Sequence, residues 1–301
     1  MSQGPIRFGN ASATVANRRD EILLQVHQEM SDMVGLREVK DQIDRIVDFA
    51  RFMKVRRDRD LPRPPISFHM VFMGPPGTGK TEIARKIGRI LYSIGMITKP
   101  NVVEVDRSTF TSQYANETPQ IVKRKVEEAL GGVLFIDEAY TLAGSTFADS
   151  GQVDKAGREA IDTLMKAMED YRERLIVICA GYTTQMNMFL DKANPGLRSR
   201  FGFFVDFPSY EFHELRDIFD GMVRAYRYTL TPDATREVES MIRDLSRLSG
   251  HETFGNARDV RSRFEKIVMA QASRIAATAD LTAITDKDLL TLERSDIEAG
   301  Q

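Results

Sequence analysis

The chain has 301 residues, 42% of them hydrophobic and 29% charged, with a formal net charge of −2. That length admits one large domain or two smaller ones around a substantial core, and the even charge balance lacks the basic footprint of a nucleic-acid binder. Neither the roughly 18 uninterrupted apolar residues of a membrane helix nor the apolar centre of a signal peptide in "MSQGPIRFGN" is found, so no membrane attachment is predicted and a cytoplasmic protein is expected.

Residues 1 to about 18 are polar and read as loose. "RRDEILLQVHQEM" (18–30) and "LREVKDQIDRIVDFARFMKVRRDRD" (36–60) are amphipathic helices, the second with Val39, Ile43, Ile46, Val47, Ala50 and Phe52 as its apolar stripe. "LPRPP" (61–65) ends that helix, and "FHMVFM" (68–73) reads as a strand buried on both faces. Then comes "GPPGTGKT", and after it "TEIARKIGRIL" places Ile83, Ile87, Ile90 and Leu91 at helical spacing. "NVVEVD" (101–106) is a strand, "TPQIVKRKVEEAL" (118–130) a helix, and "GGVLFIDEAY" (131–140) four apolar residues, Val133 to Ile136, that run into Asp137-Glu138.

"DKAGREAIDTLMKAMEDYRE" (154–173) is helical, with Ile161, Leu164, Met165 and Met168 on one face. "RLIVICAGY" (174–182) and "FGFFVDFP" (201–208) are further strands. The sole cysteine, Cys179, falls inside the first of these, where a buried strand position accounts for it better than a nucleophile does. Alternating strands and helices predict an α/β domain, a parallel sheet sandwiched by helices. From 209 the strand signal nearly vanishes. Segments 209–230, 231–248, 255–279 and 285–292 read as helices, so the expected division is 1–30, 31–208 and a small α-helical domain over 209–301.

The chemistry centres on Gly74, Pro75, Pro76, Gly77, Thr78, Gly79, Lys80 and Thr81, the G-x-x-x-x-G-K-[ST] pattern between a strand and a helix that Glu82 continues. Glycines let the backbone approach a ligand and aim N–H groups at it, and the helix N-terminus adds partial positive charge, which makes a phosphate cradle. Lys80 is then the cation for the β/γ-phosphates and the Thr81 hydroxyl a Mg²⁺ ligand. Asp137, at the end of an apolar strand, is placed to hold Mg²⁺ through water, and Glu138 to polarise the attacking water. Arg258 stands in the first turn of a helix, where it opposes the helix dipole; an anionic ligand or a carboxylate partner would each explain it. The four histidines, His27, His69, His213 and His251, have no metal-ligand spacing.

Taken in order, "GPPGTGKT", "VLFIDEAY", "NPGLRSRF" and "GNAR", ahead of a helical C-terminal region, resemble an AAA+ ATPase, a P-loop domain followed by a helical lid. The set "GGVLFIDEAY", "EAIDTLMKAMED", "LIVICAGY", "NPGLRSRF" and "VDFPSY" is similar to the CbbX/SpoVK family, which includes red-type Rubisco activases, sporulation stage V protein K and ATPase domains of type VII secretion proteins. The resemblance runs from about residue 30 to 280. It implies ATP and Mg²⁺ as cofactors, and Met33, Val34 and Gly35 in "DMVGLREVKDQI" (32–43) at the adenine. It also implies Arg200 as the arginine finger that reaches a neighbouring subunit, with Arg198 in reserve, and Arg258 as the lid's sensor arginine. Where many relatives end the "LIVICAGY" strand with a polar Asn sensor, this chain has Tyr182 and then Thr183. "SQYANETP" (112–119) matches the first pore loop, with Tyr114 as the aromatic that grips polypeptide and Ala115-Asn116 in place of the usual aliphatic-Gly pair.

The expected function is therefore an ATP-hydrolysing homo-oligomeric ring, a hexamer, that remodels a client protein of unknown identity. A finger used in trans requires a neighbour, and head-to-tail contacts that close make a ring. Two other readings share parts of the sequence. A nucleic-acid motor or clamp loader would have the same core, yet only 43 residues follow Arg258 and the charge is not basic. A non-hydrolysing nucleotide-dependent scaffold would have no use for an intact Glu138 and its arginines. Fewer than about 35 residues precede the adenine-side segment, too few for a substrate domain that would name the client.

Overall fold

Strands made of consecutive apolar residues are stable only where both faces of their sheet are covered. The computed structural model of the chain, which describes residues 10–112, 114, 117–147, 154–251, 254–277 and 284–301, builds such a sheet. The described residues sort into two units: one from Met1–Met33, Arg37–Met73 and Lys80–Asp206, the other from Val34–Leu36, Gly74–Gly79 and Phe207–Gln301.

The first unit begins with α1 (Asn10–Asp32) and α2 (Arg37–Asp58), and then β1 (Met70–Met73) and α3 (Lys80–Ser93). It continues with β2 (Val102–Val105), α4 (Arg107–Phe110), α5 (Thr118–Ala129), β3 (Val133–Ile136) and a 3-10 segment, Ala139–Phe147. The last elements are α6 (Lys155–Asp170), β4 (Ile176–Gly181), α7 (Thr183–Lys192), a 3-10 turn at Arg198–Arg200 and β5 (Phe203–Asp206). The sheet order is β2-β3-β4-β1-β5, and every neighbouring pair is parallel. Alternate strand residues serve opposite faces: Leu134, Ile136, Val177 and Cys179 join the core built with Val122 of α5, Leu164 of α6 and Phe189 of α7, whereas Val133 lies under α3, close enough that a Cβ on Gly88 would be 3.6 Å from it. Cys179 is fully buried, which pushes its thiol pKa up and leaves it a core residue.

Three expectations change here. The first helix starts at Asn10 rather than near residue 18. Helix α7 was not foreseen, because "TTQMNMFLDK" opens on poor helix formers and its apolar residues reduce to Met186, Phe189 and Leu190. In α2 the stripe closes on Met53, which is buried, while Phe52 is 55% exposed; two residues past Ala50 is about 200° around a helix. The aromatic that turns inward is Phe49, stacked 5.6 Å from Phe68. Charge ties α1 to α3: the Glu29 carboxylate accepts from Lys86 at 2.9 Å and Arg89 at 2.7 Å, and these two bonds hold its pKa below the usual range.

His69 is buried at the head of β1. Its Nδ1 accepts from the Val177 amide at 3.0 Å and its Nε2–H donates to the Met168 carbonyl at 3.1 Å, so both nitrogens are used by the neutral ring. Burial depresses its pKa to about 4. Between pH 6.5 and 4 the unfolded chain then binds a proton that the folded chain does not, so folding stability falls as pH falls through that window, by up to about 1.4 kcal/mol per pH unit from this group. Urea unfolding of wild type at pH 7 and pH 5 should show this loss, and His69→Gln should show less of it.

The second unit contains α8 (Phe212–Ala225), β6 (Thr229–Leu230), α9 (Pro232–Ser246), α10 (Ala257–Ala276), α11 (Asp286–Leu290), β7 (Thr291–Leu292) and α12 (Arg294–Ala299). Helix α9 starts as its sequence predicts, with the Thr231 hydroxyl capping the Ala234 amide and Pro232 in the first turn. The small parallel pair β6–β7 falls in segments read as helix. Buried Gln271 explains it, because its amide donates to the Leu289 and Thr291 carbonyls at 3.0 Å and so draws the chain after α11 into extended form. Arg274 forms a two-pronged pair with buried Asp296, at 2.7 and 2.8 Å, which anchors α12.

Candidate functional site

In the first unit, Lys80 and Thr81 open α3, Lys80 buried and Thr81 half-buried. The positive end of the helix backbone therefore coincides with the lysine, a combination that favours an anion. Glu82 follows and is engaged on its own helix, its carboxylate 3.0 Å from Lys86 and 3.6 Å from Arg85.

Asp137 and Glu138 leave β3 together. The Asp137 amide still donates to Val105 at 2.9 Å, which extends the ladder with β2 by one bond. At Glu138 the backbone breaks away with φ +48°, a left-handed conformation that a residue with a Cβ adopts at a cost of about 1–3 kcal/mol. The Glu138 amide donates to Asp137 Oδ1 at 3.1 Å, and the Glu138 carbonyl accepts from the Thr141 amide at 2.8 Å and hydroxyl at 2.7 Å. Burial first, and then the Glu138 carboxylate, push the pKa of the Tyr140 hydroxyl up. Among the described residues no group of three or more His, Cys, Asp or Glu is gathered as a metal site. Thr81 and Asp137 suit Mg²⁺ all the same, since it prefers hard oxygen donors and usually fills its shell with phosphate oxygens and water.

The 3-10 turn after α7 carries the two finger candidates. Arg198 pairs with Asp191 at 3.0 Å and lies over the Phe204 ring at 5.3 Å. Arg200 pairs with Glu169 near the end of α6 at 3.0 Å, and its buried Nε has no hydrogen-bond partner among the described residues. Tyr182 precedes α7 at its N-cap position, with its ring 6.2 Å from that of Tyr140. Tyr114 is 75% exposed, ahead of α5. Ser112 organises the stem of that loop, accepting from the Tyr114 amide at 3.1 Å and donating to Glu117 at 2.8 Å. Ala115 and Asn116 lie outside the described residues.

In the second unit the glycine loop Gly74–Gly79 meets the start of α10. Gly77 has φ +69°, and a Cβ there would lie 1.9 Å from the Gly255 carbonyl and 3.0 Å from the Arg258 amide, so only glycine fits. The Thr78 hydroxyl closes the loop on the Pro75 carbonyl at 2.9 Å. Arg258 is exposed in the first turn of α10 and makes no ion pair among the described residues. Gly35, with φ +59°, is pressed against Glu214, whose Oε1 would lie 2.0 Å from an added Cβ; Val34 precedes it in this unit, and Met33, in the first, offers its carbonyl to Lys40 Nζ at 2.5 Å.

At the start of α10 the Asn256 side chain makes no capping bond. Fully buried, with φ +50°, it donates to the Pro76 carbonyl at 3.1 Å and accepts from the Tyr210 amide at 2.9 Å. It thereby holds the glycine loop to α10 within this unit. Glu169 was also missed as the partner of Arg200. A polar residue in "GNAR" was a visible signal, but its partners were not.

Residues 70–209 match the model of the ATPase family associated with various cellular activities (AAA), and residues 211–301 match that of an AAA lid domain. Stage V sporulation protein K of Bacillus subtilis (strain 168) is 36% identical over 279 residues, covering 91% of this chain and 84% of that protein. The Protein CfxQ homolog of Galdieria sulphuraria is 38% identical over 277 residues, covering 92% and 87%. The ESX-1 secretion system protein EccA1 of Mycobacterium tuberculosis (strain ATCC 25618 / H37Rv) is 35% identical over 284 residues, and the chain spans about half (49%) of its length. In fold, a crystal structure of the FIGL-1 AAA domain in complex with ADP superposes with a TM-score of 0.60 at 20% identity, covering 89% of this chain and 82% of that one.

Proposed function

This chain belongs to the AAA ATPases, with an AAA lid domain and with stage V sporulation protein K and CfxQ among its relatives, and from that premise we propose that it works as a Mg²⁺-dependent ring motor, a homo-hexamer that hydrolyses ATP to remodel a client protein. The observation that carries the hydrolytic part is the set in the first unit: Lys80 and Thr81 opening α3, and Asp137 and Glu138 leaving β3. Lys80 binds the β/γ-phosphates, Thr81 and Asp137 hold the metal ion, and Glu138 takes the proton of the attacking water. Bound with ATP, Mg²⁺ supplies neutralisation of the charge on the phosphate oxygens. In the second unit the backbone amides of Gly74–Gly79 cradle phosphate, with Arg258 as a further cation. Met33, Val34 and Gly35 flank the adenine. Arg200, with Arg198 in reserve, serves the next subunit in the ring.

The client-remodelling part rests on Tyr114. An aromatic residue with three quarters of its surface in solvent contributes little to packing, which favours a gripping role over a core one. Tyr114→Ala is therefore expected to keep wild-type melting temperature and basal phosphate release. With reduced, carboxymethylated casein as an unfolded probe, stimulation of the ATPase should be lost in the variant. Equal stimulation in wild type and variant would remove polypeptide gripping from the proposal. A variant that lost stability and all activity together would return Tyr114 to a structural role.

A further inference from the structure

β2 and β3 pair in parallel with Val105 opposite Ile136, so their chains leave the sheet side by side, one into α4 and the loop of Tyr114, the other into Asp137-Glu138. Arg107, the first residue of α4, belongs to both exits. One nitrogen of its guanidinium donates to the Thr141 carbonyl and the other to Asp154 Oδ2, the latter at 2.5 Å. Thr141 is the residue whose amide and hydroxyl hold the Glu138 carbonyl, at 2.8 and 2.7 Å. On the loop side, the Arg107 carbonyl accepts from the Thr111 amide at 3.1 Å and the Thr111 hydroxyl at 2.9 Å. Thr111 runs straight into Ser112, whose hydroxyl accepts from the Tyr114 amide. Packing reinforces this joint: Phe110 of α4 is fully buried, in the same core cluster as Leu142 and Ala143 of the segment after Glu138.

From these bonds we propose that Arg107 is a positioning residue that couples hydrolysis to the client loop: it ties the turn at Glu138 to the stem that carries Tyr114, so that a change at one is felt at the other. This rests on the readings of Glu138 as the group that activates water and of Tyr114 as the gripping aromatic. The Arg107 side chain bridges segments 34 residues apart, while its backbone is part of the loop stem. Coupling between sites is carried by hydrogen bonds and packed side chains of this kind. Asp154 has a separate part. It caps α6 by accepting from the Gly157 amide at 2.9 Å, and its other oxygen takes the second prong of the guanidinium.

The sequence contains no tryptophan, so Tyr114→Trp puts a single fluorophore on the loop. With Mg²⁺ present, its emission maximum should differ between ADP and a non-hydrolysable ATP analogue. Adding Arg107→Ala should abolish that difference while both nucleotides still bind. Arg107→Lys keeps the charge beside Asp154 but not the planar fork that reaches two acceptors at once, and should shrink the difference at an unchanged melting temperature. Asp154→Asn keeps a residue that caps α6 and leaves the bond to Thr141 in place, so the difference should persist. An undiminished difference in both Arg107 variants would overturn the proposal, as would its absence from Tyr114→Trp itself. An equal loss in Asp154→Asn would also overturn it, by assigning the effect to the anchoring of α6. With Tyr114 intact, Arg107→Ala should lower casein stimulation, the ratio of stimulated to basal rate, about fivefold or more, the lower end of ordinary coupling between sites. If casein leaves the wild-type rate unchanged, the gripping reading fails, whereas the fluorescence result still decides on Arg107.

Discussion

Arg200→Ala is expected to bind ATP as wild type does and to hydrolyse it about 10³ to 10⁵ times more slowly, the range over which arginine fingers act in nucleotide hydrolases. The residue sits on a 3-10 turn, partly exposed and paired with Glu169 at 3.0 Å. An exposed pair of this kind contributes at most about 1 kcal/mol, so its loss should leave the fold intact and Glu169 can release the guanidinium at little cost. The sharper measurement mixes Arg200→Ala subunits with Lys80→Ala subunits, each inactive alone. Lys80→Ala loses the lysine that binds the β/γ-phosphates and should bind nucleotide poorly, but it keeps Arg200. In a mixed ring that arginine can serve the intact phosphate loop of an Arg200→Ala neighbour, and part of the activity should return. No recovery in rings whose mixed composition is verified by native mass spectrometry would rule out action in trans. Recovery with Arg198→Ala/Lys80→Ala subunits as well would show that Arg198 is not needed.

Glu138→Gln should keep nucleotide affinity and slow hydrolysis by about 10² to 10⁴, the contribution of a positioned general base. The amide preserves the shape, so the strained turn at Glu138 and the bonds from Thr141 should survive. The phenotype is then chemical. ATP should accumulate on the protein and be recovered unhydrolysed after gel filtration, with a raised melting temperature, because a ligand that binds only the folded state stabilises it. Turnover at the wild-type rate would place the base elsewhere.

Much of this protein is legible along the chain. Consecutive apolar residues in β1, β3 and β4 can be satisfied only inside a covered parallel sheet, and the G-x-x-x-x-G-K-T spacing states its chemistry because a phosphate cradle needs glycine, cation and hydroxyl within one continuous turn. Asp137-Glu138 could be found the same way, as acids at the end of an apolar strand. The spacing of such features is covalent, and no tertiary contact is needed to set it.

What lay beyond the sequence is which groups meet. Periodicity marks a helix face as apolar without saying what covers it, so Phe52 was enlisted in the stripe of α2 until packing turned Phe49 and Met53 inward instead. Asn256 and Pro76 are 180 residues apart, and only the folded second unit brings the amide to the carbonyl. Tyr140 reads as one more residue of "DEAY" until the pairing of β3 with β4 sets its ring against Gly181 and Tyr182. Local sequence determined the elements and the phosphate-binding chemistry, because both depend on neighbours in the chain. Tertiary structure decided the partners of the reacting groups, because a hydrogen bond between distant residues exists only once the strand order has placed them side by side.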